Sequence, residues 1–111
     1  MRIKKQDHGD LTVIELQGEL DQESVETLQN MITSVISSKK TGVILDMQNV
    51  DFIDSMGLEQ LLWARDYCDE NHCQLRLVSL KENCRKILEL TRLQKQFDCY
   101  DEPAEAIKSF A

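Results

Sequence analysis

The segment Gly42–Met47 (GVILDM) constrains the fold most, because it is apolar at nearly every position. A strand of this kind is expected where both faces of a sheet are covered, as in parallel sheets flanked by helices. On each side of it, apolar residues spaced three or four apart predict an amphipathic helix, over about Gln22–Ser37 and about Met56–Asp69. The centre of the chain therefore predicts helices alternating with a parallel sheet.

The remaining segments continue this alternation. Leu11–Leu16 predicts a strand that pairs with Arg2–Gln6 across a turn at Gly9, and Gly18–Asp21 is expected to end it. Further expected elements are strands at Leu75–Val78 and Gln96–Tyr100, a third helix starting at the capping-box spacing Ser79–Glu82, and a fourth after Pro103. This order predicts an α/β fold, a single domain over residues 1–111, with a four- to five-stranded mixed β-sheet and about four helices mainly on one face.

The composition restricts the classes of partner. The formal net charge of −7 and the pI of about 4.7 argue against a general nucleic-acid or anionic-membrane surface, but not against a basic protein. No apolar run approaches the ~20 residues of a membrane span, and no signal-peptide pattern follows the basic N-terminus. A cytoplasmic location without direct membrane insertion is therefore expected.

The four cysteines, at positions 68, 73, 84 and 99, do not form a C-x-x-C pair. A metal site drawn from Cys68, His72, Cys73 and His8 would have a spacing that zinc motifs do not use. We therefore expect neither a metal nor a cofactor, and interpret the thiols mostly as small apolar groups of the interior.

The segment FIDSMGL, residues 52–58, follows the central strand and opens the second helix. Loops at the carboxyl ends of strands are the usual site positions in such folds. Its Ser55 has three interpretations: a helix cap, a nucleophile, or a hydroxyl that another protein phosphorylates, since a helix N-terminus favours an anion. An enzyme is not expected, because the two histidines lie in no recognisable motif with an acid and no G-x-S-x-G elbow is present.

Three segments carry a family resemblance. FIDSMGLEQLLWARD, residues 52–66, resembles the signature of STAS domains, in particular the bacterial anti-sigma factor antagonists. LQGELDQESVETL, residues 16–28, is similar to the family's Gly-x-Leu-Asp marker, and residues 75–93 are similar to its third marker. The resemblance covers essentially the whole chain, and the family fold agrees with the element order given above.

The resemblance implies a regulatory role centred on Ser55, which matches the serine that a partner phosphorylates. The implied partner is an anti-sigma factor that is also an ATP-dependent serine kinase. The unphosphorylated antagonist binds it and frees the sigma factor, the phosphorylated antagonist lets go, and a phosphatase resets the cycle. Asp54 matches the acid before the serine, Asp21 matches an acid close to it, and Gly57 matches the small residue that lets the partner approach the helix start.

The second helix supplies the other expected partner contacts. Met56 and Glu59 depart from the family pattern within the expected interface, so they bear on partner choice. An outward stripe is expected at Met56, Gln60, Trp63 and Tyr67. Its two aromatic residues either anchor an interface or tuck partly under a neighbour. The opposite, inner face is expected to carry Leu58, Leu61, Leu62 and Cys68, with Ala64 at its margin.

Two other functions remain open. One is a STAS docking subunit of a membrane transport complex or a stressosome-like scaffold, without a phosphoswitch. The other is a small-molecule binder, which the absence of a glycine-rich phosphate loop disfavours.

Overall fold

The computed structural model describes residues 1–110 of the chain. Its strands are β1 (Arg2–His8), β2 (Leu11–Leu20), β3 (Gly42–Ile53), β4 (Gln74–Val78) and β5 (Asp98–Tyr100). Its α-helices are α1 (Val25–Ser37), α2 (Ser55–Glu70), α3 (Glu82–Leu90) and α4 (Pro103–Lys108), and short 3₁₀ turns lie at Gln22–Ser24 and Gln94–Gln96. No helix within residues 1–110 is both long enough and apolar enough to cross a membrane.

The five strands form one mixed sheet in the order β1-β2-β3-β4-β5. The β1–β2 pair is antiparallel and the other three pairs are parallel. Each parallel connection passes through a helix to the neighbouring strand, so right-handed crossovers place α1, α2 and α3 on the same face. The fold class predicted from the sequence is confirmed, with five strands rather than four.

Two apolar clusters cover the two faces of the sheet. The larger one packs α1, α2 and α3 against residues such as Leu45 and Met47 of β3. The smaller one packs Ala106 of α4 against Ile44 of β3 and Val78 of β4 on the opposite face. Helices thus lie mainly on one face, and the continuous apolar run of β3 is explained by burial on both sides.

The two central strands are longer than predicted. β2 does not end at Gly18 but continues to Leu20, because register shifts after Glu15 and Gly18 absorb the irregularity. Gly18 itself has a φ of +120°, which favours glycine. β3 likewise continues past Met47 to Ile53. Both strand ends remain in the core, since Leu20 and Ile53 are buried.

The predicted capping box before α3 is wrong. Ser79 has a φ of +59°, and its hydroxyl donates a 3.2 Å hydrogen bond to the carbonyl of Asp101 in the loop after β5. The helix begins at Glu82 with Lys81 as its N-cap residue, without a side-chain cap. Ser79 therefore links the loop after β4 to the loop after β5. The S-x-x-E spacing alone does not distinguish this role from that of a helix cap.

The inner face of α2 is shifted slightly from the predicted one. Leu61, Cys68 and also Ala64 are fully buried, so Ala64 is central rather than marginal. Leu58 and Leu62 are only half-buried, although both pack against the core. A small residue at position 64 allows α2 to lie close to the sheet.

Candidate protein-binding site

The site lies where β2 and β3 end side by side. Their parallel register pairs Leu20 with Ile53, and the next residue of each strand is an acid, Asp21 and Asp54. The Asp54 amide donates a 3.2 Å hydrogen bond to the Leu20 carbonyl, which continues the ladder beyond the last pair. The sheet therefore brings together two acids that are 33 positions apart in the sequence.

Each of these acids caps the helical turn that follows it. The Asp21 carboxylate accepts a 3.0 Å hydrogen bond from the Glu23 amide, and the Asp54 carboxylate accepts one of 2.9 Å from the Gly57 amide. Both residues have extended backbone angles, as N-cap residues do. Asp21 thus caps the 3₁₀ turn Gln22–Ser24, after which α1 begins at Val25.

Ser55 is not the cap of α2, so that interpretation is wrong. Asp54 occupies the cap position, and Ser55 is the first residue inside the helix. Its side chain is exposed, and its hydroxyl makes no hydrogen bond to residues 1–110. The amides of Ser55 and Met56 belong to the first helical turn, where N–H groups have no acceptor within the helix. The hydroxyl is thus presented to solvent beside free backbone donors.

Gln60 does not belong to an outward stripe, which corrects the prediction for this residue. Only 3% of it is exposed. Its Nε2 donates a 2.6 Å hydrogen bond to the Asp21 carbonyl, and its Oε1 accepts a 3.2 Å hydrogen bond from the Ser24 hydroxyl. The side chain satisfies polar groups between α2 and the start of α1, so it cannot be a direct partner contact in this conformation.

Packing inside the domain requires glycine at position 57, independently of the role that the family resemblance implies for it. It is buried, and a Cβ at this position would lie 2.8 Å from the Leu20 Cβ and still closer to the Leu20 carbonyl oxygen. Real Cβ atoms do not approach this closely. Glycine therefore lets the start of α2 pack directly on the end of β2.

Two large apolar side chains near Ser55 are exposed. Phe52 is 48% exposed and Met56 is 37% exposed. The sequence analysis did not predict Phe52 as a site residue, because it belongs to the apolar segment that ends β3. The alternation of side chains along a strand could have predicted this exposure, because Ile53 faces the core and the side chain before it points to the opposite face. Exposed Met56 agrees with its predicted position at the surface.

The rest of this surface is acidic. Glu19, Glu23, Asp51 and Glu59 are exposed around the ends of β2 and β3 and on the first turns of the helices. The nearest cation, Lys81, is already paired with Asp51. Two exposed apolar side chains, an exposed hydroxyl and several carboxylates thus lie close along the chain at the ends of β2 and β3.

The aromatic residues of α2 are half-buried. The rings of Trp63 and Tyr67 stack with centroids 5.1 Å apart and pack against the core, which favours the view that they tuck under a neighbour. Trp63 also lines a shallow groove of about 340 Å³ between α1 and α2, together with Val25, Gln29, Met56, Glu59 and Gln60. Trp63 is thus accessible from the groove beside Met56, whereas Tyr67 is not among the residues that line the groove.

Neither histidine can serve Ser55 as a base. His8 ends β1 and pairs with Leu11 at the start of β2, at the end of the sheet opposite Ser55. His72 follows the far end of α2, a helix of 16 residues. A helix of that length spans roughly 24 Å. Within residues 1–110, neither histidine therefore lies beside Ser55 as an activating base.

The chain belongs to the STAS domain family, whose model matches residues 2–106. The anti-sigma F factor antagonist of Paenibacillus polymyxa is 20% identical over 96% of this chain and 92% of its own. The anti-sigma-F factor antagonist RsfB of Mycobacterium tuberculosis is 24% identical over 91% of this chain and 82% of its own.

Solved structures share the fold. An anti-sigma factor antagonist from Mycobacterium paratuberculosis has a TM-score of 0.85 at 23% identity, covering 97% of this chain and 92% of its own. The Bacillus protein SpoIIAA in its phosphorylated form has a TM-score of 0.75 at 22% identity, covering 99% and 100%. A sulfate transporter family protein from Wolinella succinogenes has a TM-score of 0.82 at 18% identity, covering 92% and 85%.

Proposed function

We propose that this protein is an anti-sigma factor antagonist that binds an anti-sigma factor through the surface around Ser55. The observation that carries the proposal is the position of the Ser55 hydroxyl, which is exposed at the start of α2 while Asp54 provides the cap. The family and the names of the two antagonist relatives support the same role. In this role the protein is a binding regulator and not an enzyme.

We further propose that the partner is a serine kinase that transfers phosphate from ATP to Ser55. The exposed hydroxyl and the free amides of the first turn give a phosphate a place to form and partial stabilisation, worth about 0.3–1 kcal/mol. Capping bonds hold Asp21 just after the end of β2 and Asp54 just after the end of β3. A phosphatase would remove the group and restore binding.

The physical basis of release is the charge added to a covered surface. A phosphate adds about −1.5 to −2 charges next to carboxylates that are already present. In the free protein this group stays in water, so the fold is little affected. In an interface it must lose water, which costs several kcal/mol when no cation compensates. Because each 1.4 kcal/mol is tenfold in affinity, release by about two decades is expected.

Titration calorimetry with the anti-sigma factor kinase of the same genome tests this proposal. Ser55→Ala should bind like the parent protein and accept no phosphate, as mass spectrometry after ATP addition would record. Ser55→Asp should bind at least about ten times more weakly. Ser37→Asp is the matched control, because Ser37 is an exposed serine at the opposite end of α1; its affinity should not change.

A second function is favoured by the likeness to the sulfate transporter family protein. In that case the same surface docks a transport or scaffold protein and Ser55 is not a switch. The titration separates the two functions: if no phosphate forms on Ser55 with any kinase of the host and Ser55→Asp binds as tightly as the parent, the docking function without a switch is correct.

A further inference from the structure

Helix α2 ends in a turn that brings Cys68 and Cys73 together. The Cys73 amide donates a 2.8 Å hydrogen bond to the Cys68 carbonyl, and the His72 amide donates one of 3.2 Å to the Asp69 carbonyl. His72, between them, has a φ of +59°. This combination is the Schellman motif, in which the residues at the two ends of the turn frequently make a side-chain contact. Here those two residues are both cysteines.

The two thiols differ in environment. Cys68 is fully buried in the core, whereas 2% of Cys73 is exposed. Interaction with the neighbouring Cys73 thiol, and then burial, raise the pKa of Cys68, whereas interaction with Cys68 lowers the pKa of Cys73. Burial raises the pKa of Cys84. Cys73 is thus the buried thiol that is most readily deprotonated.

A groove reaches Cys73 but not Cys68. It has a volume of about 450 Å³, and its lining includes Cys73, Arg65, Asp69, Arg76 and Asp98. Two arginines and three aspartates among the lining residues make this groove polar. The groove therefore gives a small polar molecule a route to Cys73, of which 2% is exposed, while Cys68 is fully buried at the end of the helix.

We propose that Cys68 and Cys73 form an oxidation site that takes hydrogen peroxide, or a small hydroperoxide, and closes to a disulfide. The Cys73 thiolate attacks one peroxide oxygen: an S–O bond forms, the O–O bond breaks, and the departing hydroxide takes a proton to become water. The Cys68 sulfur then attacks the Cys73 sulfur: the S–S bond forms, the S–O bond breaks, and the hydroxide leaves with the Cys68 proton as a second water. Two thiols lose two electrons and the peroxide gains them.

This site is independent of the function proposed for Ser55. Ser55 begins α2 and Cys68 lies in its last turn, so the two are at opposite ends of one helix. The disulfide would tie the end of α2 to the residue before β4 without covering the Ser55 surface. Oxidation is therefore expected to leave partner affinity unchanged and to raise the melting temperature of the domain, because the helix end can no longer separate from the strand.

The test uses the Cys99→Ser variant, which removes the exposed thiol. The folded variant is treated with hydrogen peroxide, quenched with catalase, denatured and labelled with N-ethylmaleimide. Trypsin cuts after Arg65 and Arg76, so both cysteines fall in the single peptide 66–76. We expect this peptide to lose two hydrogen atoms and take no label, while Cys84 remains labelled and dithiothreitol restores labelling of the pair.

Two variants in the same background assign the roles. Cys68→Ser should leave Cys73 as a sulfenic acid that dimedone traps, and Cys73→Ser should leave Cys68 reduced and fully labelled. Circular dichroism before and after treatment checks that the chain stays folded. The proposal is wrong if the peptide 66–76 of the folded Cys99→Ser variant takes two labels after peroxide, or if Cys84 is oxidised before the pair.

Discussion

The Gln60 side chain donates a 2.6 Å hydrogen bond to the backbone carbonyl of Asp21 and accepts another from the Ser24 hydroxyl. These contacts join the start of α2 to the turn that precedes α1, which are the two segments on either side of the proposed binding surface. The geometry of that surface thus depends on a buried amide inside the domain.

Replacing this amide should destabilise the fold. Gln60→Leu removes the two hydrogen bonds to the Asp21 carbonyl and the Ser24 hydroxyl, which still bond to each other; at about 0.5–1.5 kcal/mol per bond the loss should be about 1–3 kcal/mol. Urea denaturation measures the loss. The neighbouring exposed residue is the control: Glu59→Gln should change the free energy of unfolding by less than about 0.5 kcal/mol. Equal effects of the two substitutions would contradict the buried role of Gln60.

A methyl group at position 57 should also be destabilising. The Cβ of Gly57→Ala would overlap the end of β2 at Leu20, and overpacking of this kind costs about 1–3 kcal/mol. Had glycine served only partner approach, the free protein would keep its stability and lose affinity alone. Thermal melts of the free Gly57→Ala protein, compared with Ser55→Ala, distinguish the two explanations.

The cap of α2 can be assigned by comparing two adjacent substitutions. Asp54→Ala removes the acceptor of the Gly57 amide and should cost about 1 kcal/mol. Ser55→Ala removes a hydroxyl without a hydrogen-bond partner in the described chain and should cost less than about 0.5 kcal/mol. A larger loss for Ser55→Ala in chemical denaturation would mean that the serine is the cap.

The fold was predictable because its signals are periodic. A continuous apolar strand and amphipathic helices on each side of it specify a parallel sheet with little ambiguity. The strand ends were not predictable in the same way. β2 runs through Gly18 because register shifts occur, and β3 runs to Ile53 because the core extends that far. Both depend on the neighbouring strand, which local sequence does not describe.

The site was predicted only in part for a similar reason. The position of Ser55 after a central strand follows from topology, whereas Asp21 was assigned to the site only through the family resemblance. Both Asp54 and Ser55 have side chains that can accept from helix amides, and Asp54 takes the cap because its backbone is extended while Ser55 already lies in the helix. The burial of Gln60 depends on the approach of α1, and a polar residue at helical spacing gives no sign of it.

Leu61 and Leu58 test the register of α2. Leu61 is fully buried and Leu58 is half-buried against the same core. Leu61→Ala should cost about 2–5 kcal/mol, and Leu58→Ala should cost less because part of its surface is already in water. Denaturation midpoints of both variants check this order, and the reverse order would mean that the helix is rotated.

The exposed apolar pair tests the partner surface itself. Phe52 and Met56 lie within three residues of Ser55 and are too exposed to hold the fold together. If they contact the anti-sigma factor, Phe52→Ser and Met56→Ser should each weaken binding about tenfold, or about 1.4 kcal/mol, while the free energy of unfolding changes by less than about 0.5 kcal/mol.

Leu90, which is 84% exposed on α3, supplies the matched control, because Leu90→Ser removes an exposed apolar side chain from a different helix. Calorimetric titration of the three variants against one kinase measures the effect. Equal affinity for all three would show that the partner binds elsewhere, whereas a loss confined to positions 52 and 56 would place the partner against the end of β3 and the start of α2.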